Sequence, residues 1–441
     1  MGRERTVSSV AVVGAGMVGL ATAWHLQEHG VEVTVIDRTA VAAGASWGNA
    51  GWLTPALVAP LPEPALLRYG LRAVVSSRSP VYAPPAADLD LARFMTGFLR
   101  HSTHRRWRES LHRLLPLVRE ALPAFDELAG HGIPVPTRSA DPLVAAFPRV
   151  AQVGALTDEL EHIVAAGGAV DYELVSGAAA RRLAPVLSET VQAAVLIRGQ
   201  RFLDPPAYVH ALADAVRSRG GDIVTGSPVT SLEPDQDGVR VTAPAGGGRY
   251  DAVVIATGAW LGALARPFGV RQVVQAGRGY SFSVATDKVP TDRVATDRVA
   301  TDSGATEGLP AGPVYLPTAR VALTPLADRL RVAGMMELRR PDVALDPRRI
   351  AAIVESVRPL VQGVDLETRA DEWVGSRPVT VDGLPLIGAS AAPRVFVAGG
   401  HGMWGITLGP VTGRLLAEQV VTGRVPDPLR PFDPLRRGRT R

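Results

Sequence analysis

The sequence predicts a mixed α/β fold, and three observations carry that prediction. Val10-Ala11-Val12-Val13 is a short apolar run that passes at once into Gly14-x-Gly16-x-x-Gly19 and then into helical periodicity. Near the other end, the apolar run Val395-Phe396-Val397-Ala398 passes into Gly400-x-Gly402-x-x-Gly405 and a second helical stretch. Between them, residues 270–340 alternate as strands do, notably in Val321-Ala322-Leu323-Thr324 and Leu330-Arg331-Val332-Ala333.

The elements follow in chain order. Residues 20–29 have helical spacing that Gly30 stops, and 31–36 alternate into a second strand ending at Asp37. A loop of small residues occupies 42–51, and the Pro-rich stretch 55–64 reads as a crossing between domains. Residues 88–130 are expected to be helical: Leu111, Leu114, Leu115, Val118, Leu122, Phe125 and Leu128 recur at three- and four-residue steps. Pro116 and Pro123 should bend or divide that helix. An amphipathic helix is expected at 206–219, a strand at 222–225, and a hairpin around Gly238. A buried strand at 251–256 leads into Thr257-Gly258-Ala259-Trp260, and the last helix spans 407–421. Four five-residue near-repeats fill 286–305, beginning Thr286-Asp287-Lys288-Val289-Pro290. Their polar composition has little to bury, so they read as a solvent-exposed expansion of a hairpin loop.

Composition excludes several classes of chemistry. The 441 residues include no Cys, which rules out disulfides, thiolate zinc sites and cysteine-ligated iron–sulfur clusters. The one lysine, Lys288, lies inside the repeat, which argues against a buried Schiff-base lysine and against a phosphate-cradling one. No His/Asp cluster has the spacing of a metal site. Lys plus Arg number 47 against 43 Asp plus Glu, a net charge of +4, and much of the excess sits in the tail at Arg436, Arg437, Arg439 and Arg441. No nucleic-acid partner is expected from so sparse a distribution. No stretch reaches the ~18–20 apolar residues of a membrane span. The expected location is the cytoplasm, with contact to the inner face of a membrane left open.

The glycine motif has its proper context. The first glycine permits a tight turn, the second lets the backbone approach a pyrophosphate, and the third lets helix and strand pack closely. The helix N-terminus then faces phosphate charge. Asp37, 23 residues after Gly14 at a strand end, can bind ribose hydroxyls. The second glycine cluster lacks a following acid and a further βαβ unit, so it reads as a backbone wall on the same cofactor. Gly44-Ala45-Ser46-Trp47-Gly48 fits the nucleophile-elbow pattern of serine hydrolases but lies in a loop rather than between strand and helix. His401 sits among glycines, where proton transfer, hydrogen bonding and packing all remain open.

Several motifs in order then resemble one family. Besides residues 10–37, these are Ser46-x-x-Asn49-Ala50-Gly51, Ala256-Thr257-Gly258-Ala259-Trp260, Gly279-Tyr280-Ser281, Gly375-x-Arg377-Pro378-x-Thr380-x-Asp382-Gly383-x-Pro385-x-Ile387-Gly388 and Gly400-His401-Gly402-x-x-Gly405. Together they resemble the D-amino acid oxidase superfamily of flavoproteins, in particular the bacterial D-amino acid dehydrogenases and then the glycine and sarcosine oxidases. The resemblance spans nearly the whole chain. It implies FAD in a discontinuous Rossmann-like domain, with a β-rich, helix-bearing substrate domain inserted. The implied division gives the FAD-binding domain residues 1–60, 196–265 and 371–435, and the substrate domain 61–195 and 266–370, with a basic tail at 436–441.

The resemblance also implies a site. Gly14, Ala15, Gly16, Met17, Val18, Gly19, Asp37 and Arg38 would hold the adenosine diphosphate half of FAD. Ser46, Asn49, Ala50 and Gly51 match the loop near the isoalloxazine and ribityl chain. Val229, Thr257 and Gly258 would add contacts, and Gly400, His401, Gly402, Gly405, Ile406 and Thr407 match the segment at the pyrimidine edge. Without Cys there is no thioether link, so the FAD is expected to be non-covalent. The implied reaction is oxidation of the Cα–N bond of an amino acid. A hydride passes from Cα to flavin N5, the imino acid hydrolyses, and the electrons go on to a quinone or to oxygen. Arg377 is the expected anchor for the substrate carboxylate, because a guanidinium grips a carboxylate with two parallel hydrogen bonds. Tyr280 and Tyr315 are expected to cap the same carboxylate, with packing in a sheet as their alternative. For Arg377 the alternative is an ion pair with Asp371 or Glu372.

Overall fold

Ser9–Val13 is apolar after its first residue because both its faces are covered, as in the parallel sheets of α/β proteins. The computed structural model describes residues 7–64, 76, 79–84, 88–285, 309–327 and 329–436. In it Ser9–Val13 lies near the middle of a six-stranded sheet, flanked in parallel by Glu32–Ile36 and Ala252–Ile255. Asp222–Val224 and Val395–Gly399 extend the parallel set on either side, and Leu386–Ala389 adds an antiparallel edge. Three separate stretches of chain therefore build this one sheet.

Helices Met17–Glu28, Pro205–Ser218 and Gly405–Thr422 share an apolar cluster with one face of the sheet. The first and last cross closely, since a Cβ on Gly413 would run into the Ala21 backbone. The other face is covered by a three-stranded meander, Ser231–Pro234, Val239–Thr242 and Gly248–Tyr250.

The expected helical region 88–130 forms three helices, Leu89–His101, His104–Arg119 and Ala121–Gly130. Pro116 lies inside the second without ending it. The break falls at Glu120, so Pro123 sits in the first turn of the third helix, where a missing N–H costs nothing. Leu114, Leu117, Val118, Ala124, Phe125 and Leu128 join the cluster around the six-stranded sheet. Arg414 ties them to the last helix through Glu120 and Glu127, each at 3.1 Å. This part of the expected substrate domain thus packs on the cofactor side.

A nine-stranded sheet forms the second layer. Its order is Arg369–Thr380, Val274–Ala285, Arg329–Leu338, Val321–Leu326, Val314–Leu316, Leu143–Phe147, Ala193–Ile197 and Tyr172–Ser176, with Val81–Tyr82 paired to Arg329–Leu338. Two expectations change here. The division at 371 falls inside Arg369–Thr380, which pairs with Val274–Ala285 as far as Thr380, so the chain returns to the six-stranded sheet only at Leu386. The strands flanking the repeat, Val274–Ala285 and Val314–Leu316, are separated by two others and form no hairpin. The repeat itself and residues 437–441 lie outside the described residues. Arg436, placed in the tail by sequence, instead grips the Asp382 carboxylate at 3.0 and 3.1 Å.

Candidate active site

Two cavities meet where these layers face each other. The first, about 510 Å3, runs from the N-terminus of helix Met17–Glu28 to that of helix Gly405–Thr422. In neither helix does the N-cap residue's own side chain cap the end, so two positive helix ends face one space, an arrangement suited to an anionic ligand. Gly14 adopts φ +118°, open to glycine, and a Cβ there would press on the carbonyl of Ala256. A Cβ on Gly19 would collide with the Gly14 carbonyl oxygen. Asp37 holds the turn: its carboxylate accepts from the Ala15 N–H at 2.9 Å and the Thr39 N–H at 2.8 Å. Ser46 Oγ accepts from the Met17 N–H at 3.3 Å.

Most of the expected cofactor residues line this cavity: Gly14, Gly16, Met17, Val18, Asp37, Arg38, Ser46, Asn49, Val229, Thr257, Gly258, His401, Gly402, Gly405 and Ile406. The others support it from behind. Ala15 bonds Asp37 and Gly19 packs on Gly14. Ala50 accepts from Thr324 Oγ1 at 2.7 Å and faces the second cavity. Gly51 is folded against Leu203, Gly400 lies against Thr380, and Thr407 donates to the Trp52 carbonyl at 2.9 Å. Arg38 stacks on Trp260, 3.7 Å from the ring centroid, and reaches Asp342 at 3.4 Å. One buried atom in the wall, Thr257 Oγ1, has no hydrogen-bond partner among the described residues. An orphaned hydroxyl, two positive helix ends and a cradle that a Cβ would fill all fit FAD.

His401 is buried in the same wall, with Nε2 2.9 Å from Thr412 Oγ1. Burial pushes its pKa down to about 4, so the imidazole is neutral at ordinary pH. Of the roles left open in sequence, this placement supports hydrogen bonding.

The second cavity, about 460 Å3, lies under the nine-stranded sheet. Asn49, Met403 and Arg377 line both cavities. Arg377 extends from Arg369–Thr380 across Gly279 of the neighbouring strand, where any Cβ would collide with the guanidinium. A bulge sets its partner. Between Arg278 and Tyr280 lies one residue, whereas the facing strand places two, Met335 and Met336, between Gly334 and Glu337. Met335 takes φ +58°, and its carbonyl accepts from Arg377 Nη1 at 2.9 Å. That is the guanidinium's one hydrogen bond among the described residues. The expected competitors are committed elsewhere: Glu372 pairs with Arg369 at 3.1 Å, and Asp371 lies 3.9 Å from Arg331. Burial alone pushes the Arg377 pKa down, to about 10, so the group stays cationic.

The two tyrosines part company. Tyr280 is fully buried and donates to Glu337 Oε2 at 2.6 Å, within a network that also holds Arg278 at 3.0 Å. It lines neither cavity. Neighbouring residues of a strand face opposite ways, and Gly279 already faces Arg377, so Tyr280 packs in the sheet's far core. Tyr315 does line the second cavity, edge-on to Trp52 at 5.6 Å, with its pKa pushed up to about 12 by burial. Around it stand Glu63, Glu159 and Arg320, polar residues with no motif to announce them. Met95, Phe98, Leu99, Leu156, Met336 and Leu338 supply much of the apolar wall. They come from segments far apart in sequence, and their periodicity reads only as core.

Among the described residues, no group of His, Asp and Glu is placed to hold a metal ion. No described helix is long and apolar enough to cross a membrane.

Comparison with known proteins agrees with this geometry. The family described as FAD dependent oxidoreductase matches residues 9–419. A D-amino acid dehydrogenase from Cereibacter sphaeroides is 29% identical over 426 residues, covering 95% of this chain and 92% of the relative. A glycine oxidase from Geobacillus kaustophilus superposes with a TM-score of 0.73 at 22% identity, over 98% of this chain and 100% of that one. An iminodiacetate oxidase from a Chelativorans species gives 0.68 at 21% identity, over 96% and 98%.

Proposed function

The chain belongs to the FAD dependent oxidoreductase family, and from that membership we propose that it oxidises D-amino acids at the Cα–N bond. The product is an imino acid, which hydrolyses to a 2-oxo acid and ammonia. The single observation that carries this reading is Arg377: a half-buried cation with no carboxylate partner among the described residues, in the wall common to the two cavities. The D configuration rests on the Cereibacter relative.

FAD, when bound, supplies the acceptor for the hydride that leaves Cα. The two positive helix ends, Asp37 and Thr257 would hold it non-covalently, there being no Cys for a thioether. The chain's own part is positioning. Arg377 binds the substrate carboxylate, with Nη1 kept in place by Met335 and the remaining N–H groups directed to the ligand. Tyr315, held neutral, can donate from the cavity wall. The apolar wall excludes water while Cα lies against the cofactor, and orientation of this kind is a large part of such catalysis.

An oxidase of glycine, sarcosine or a cyclic imino acid is the alternative. A cavity of about 460 Å3 falls in the ~300–1,000 Å3 range of small-molecule sites and far exceeds what glycine fills, which favours a substrate with a side chain. The test is anaerobic mixing of the yellow holoenzyme with D-, L- and N-methyl amino acids. Bleaching by D-amino acids in preference to L- and N-methyl forms is expected. Bleaching by sarcosine or glycine alone would move the assignment to the alternative. Peroxide release in air would identify oxygen as the acceptor, and its absence would leave a quinone or another respiratory carrier.

A further inference from the structure

The second cavity holds more charge than a site for an apolar side chain needs. Glu159, on helix Gly154–Ala165, opens onto it beside Leu156, and Glu63 and Arg320 line it as well. Arg320 Nη2 lies 3.4 Å from Glu63 Oε2. Glu159 has no hydrogen bond or ion pair to any described residue, and it is half-buried where it lines the cavity. The surroundings push its carboxyl up to about 8, through burial first and the nearby Glu63 second, with Arg320 opposing. Two carboxylates thus share the lining with the Arg320 guanidinium, which pairs with Glu63, and Glu159 is the carboxylate without a partner among the described residues. None of Glu63, Glu159 and Arg320 lines the cofactor cavity, whereas Arg377 lines both, so they mark the part of the cavity away from the cofactor. The backbone is committed to this arrangement too. Arg320 and Met335 are both held at positive φ, +51° and +58°, a conformation that non-glycine residues take where the surroundings enforce it.

We propose that Glu159 reads the far end of the substrate, so that the preferred substrates are D-amino acids with a long apolar stem ending in an amine or guanidinium. Arg377 takes the carboxylate, the apolar wall takes the methylenes, and Glu159 pairs with the terminal cation. This assignment rests on the amino-acid reading above. An arriving cation makes ionisation of Glu159 favourable and releases its proton, so the preference is tied to pH.

The experiment is anaerobic flavin reduction by D-lysine and by D-norleucine, which share a stem and differ in the terminal ammonium. In the wild type, the second-order rate should favour D-lysine by about tenfold or more, mostly through its apparent Kd. This preference should grow as pH rises from about 6.5 to about 8.5, while the lysine ammonium, with its pKa of about 10.4, stays charged. In Glu159→Gln, an isosteric change, the D-lysine to D-norleucine ratio should fall by about tenfold or more and lose that pH dependence. Equal or better reduction by D-norleucine in the wild type would overturn the proposal while leaving amino-acid oxidation intact. So would a ratio unmoved by Glu159→Gln. If no member of the panel reduced the flavin, the amino-acid reading itself would fall, and this one with it.

Discussion

The two cavities are built on opposite principles. The cofactor cavity is largely backbone: glycines, small residues and two helix ends, concentrated in short contiguous stretches around 14–19, 44–49, 256–260 and 399–406. The second cavity is largely side chain. Its wall draws residues from two of the helices between 89 and 165, from the central strands of the larger sheet, and from Arg377. A space defined by backbone tolerates little change at its glycines, because an added Cβ meets a carbonyl. A space defined by side chains can change its ligand by exchanging single residues. On the proposed reading, the difference puts cofactor binding in the first cavity and substrate choice in the second, with Arg377 lining both.

That contrast can be broken at several points. The largest effect is expected at Arg377, where the two cavities join. Arg377→Met should lower the second-order rate of flavin reduction by ~30–3,000-fold, corresponding to ~2–5 kcal/mol for losing one side of a buried charge pair. Yellow colour and melting temperature should change little, because no ion pair among the described residues is lost. A large drop in stability with unaltered kinetics would return Arg377 to a structural role. Next is Gly279→Ala, which touches neither ligand but displaces the guanidinium. Stopped-flow reduction should slow by up to ~100-fold, the usual scale for misplacing a positioning group by about an ångström. FAD affinity should hold. Retained turnover would show that Arg377 has another way to its ligand.

On the cofactor side, Asp37→Ala should weaken FAD binding by ~1–3 kcal/mol, measured as flavin fluorescence on dilution, with substrate saturation unaffected in the fully loaded enzyme. A stability effect, rather than a catalytic one, sharpens the contrast through pH. Burial holds His25 at about 3 and His401 at about 4, both below 6.5. The unfolded chain therefore binds protons that the folded one refuses. Stability is full above pH ~6.5 and falls with acidification towards the folded values, by about 2 kcal/mol per histidine at pH 5. Melting temperatures at pH 7 and pH 5 check this, and His401→Asn should shrink the difference. An equal fall in that variant would assign the acid sensitivity elsewhere.

The same contrast explains what the sequence discloses. The spacing Gly14-x-Gly16-x-x-Gly19 with Asp37 is legible because its physics is local: a turn, a helix end and a strand end lie within about 24 residues. Arg377 was legible through its motif, although the bulge at Met335 that fixes its Nη1 was not. For Tyr280 the structure fits the packing alternative, because Gly-Tyr-Ser alone does not say which face of the strand looks into the cavity; Gly279 opposite Arg377 decides that. Glu159 and Glu63 left no trace, since an acid on an amphipathic helix or in a Pro-rich stretch reads as a solvated residue until the fold turns it inward. The expected division falls at Glu120, just before Pro123, while Pro116 is accommodated within a helix that tertiary packing holds.

The central claim, that Arg377 offers a carboxylate site at the junction of the two cavities, is tested most directly without catalysis. Titrating the oxidised holoenzyme with benzoate, followed by flavin absorbance, measures carboxylate binding beside the cofactor. Saturable perturbation in the wild type, and a loss of affinity in Arg377→Met matching its loss in reduction rate, is the expected result. Equal benzoate affinity in the two proteins would contradict the account and place the carboxylate anchor elsewhere.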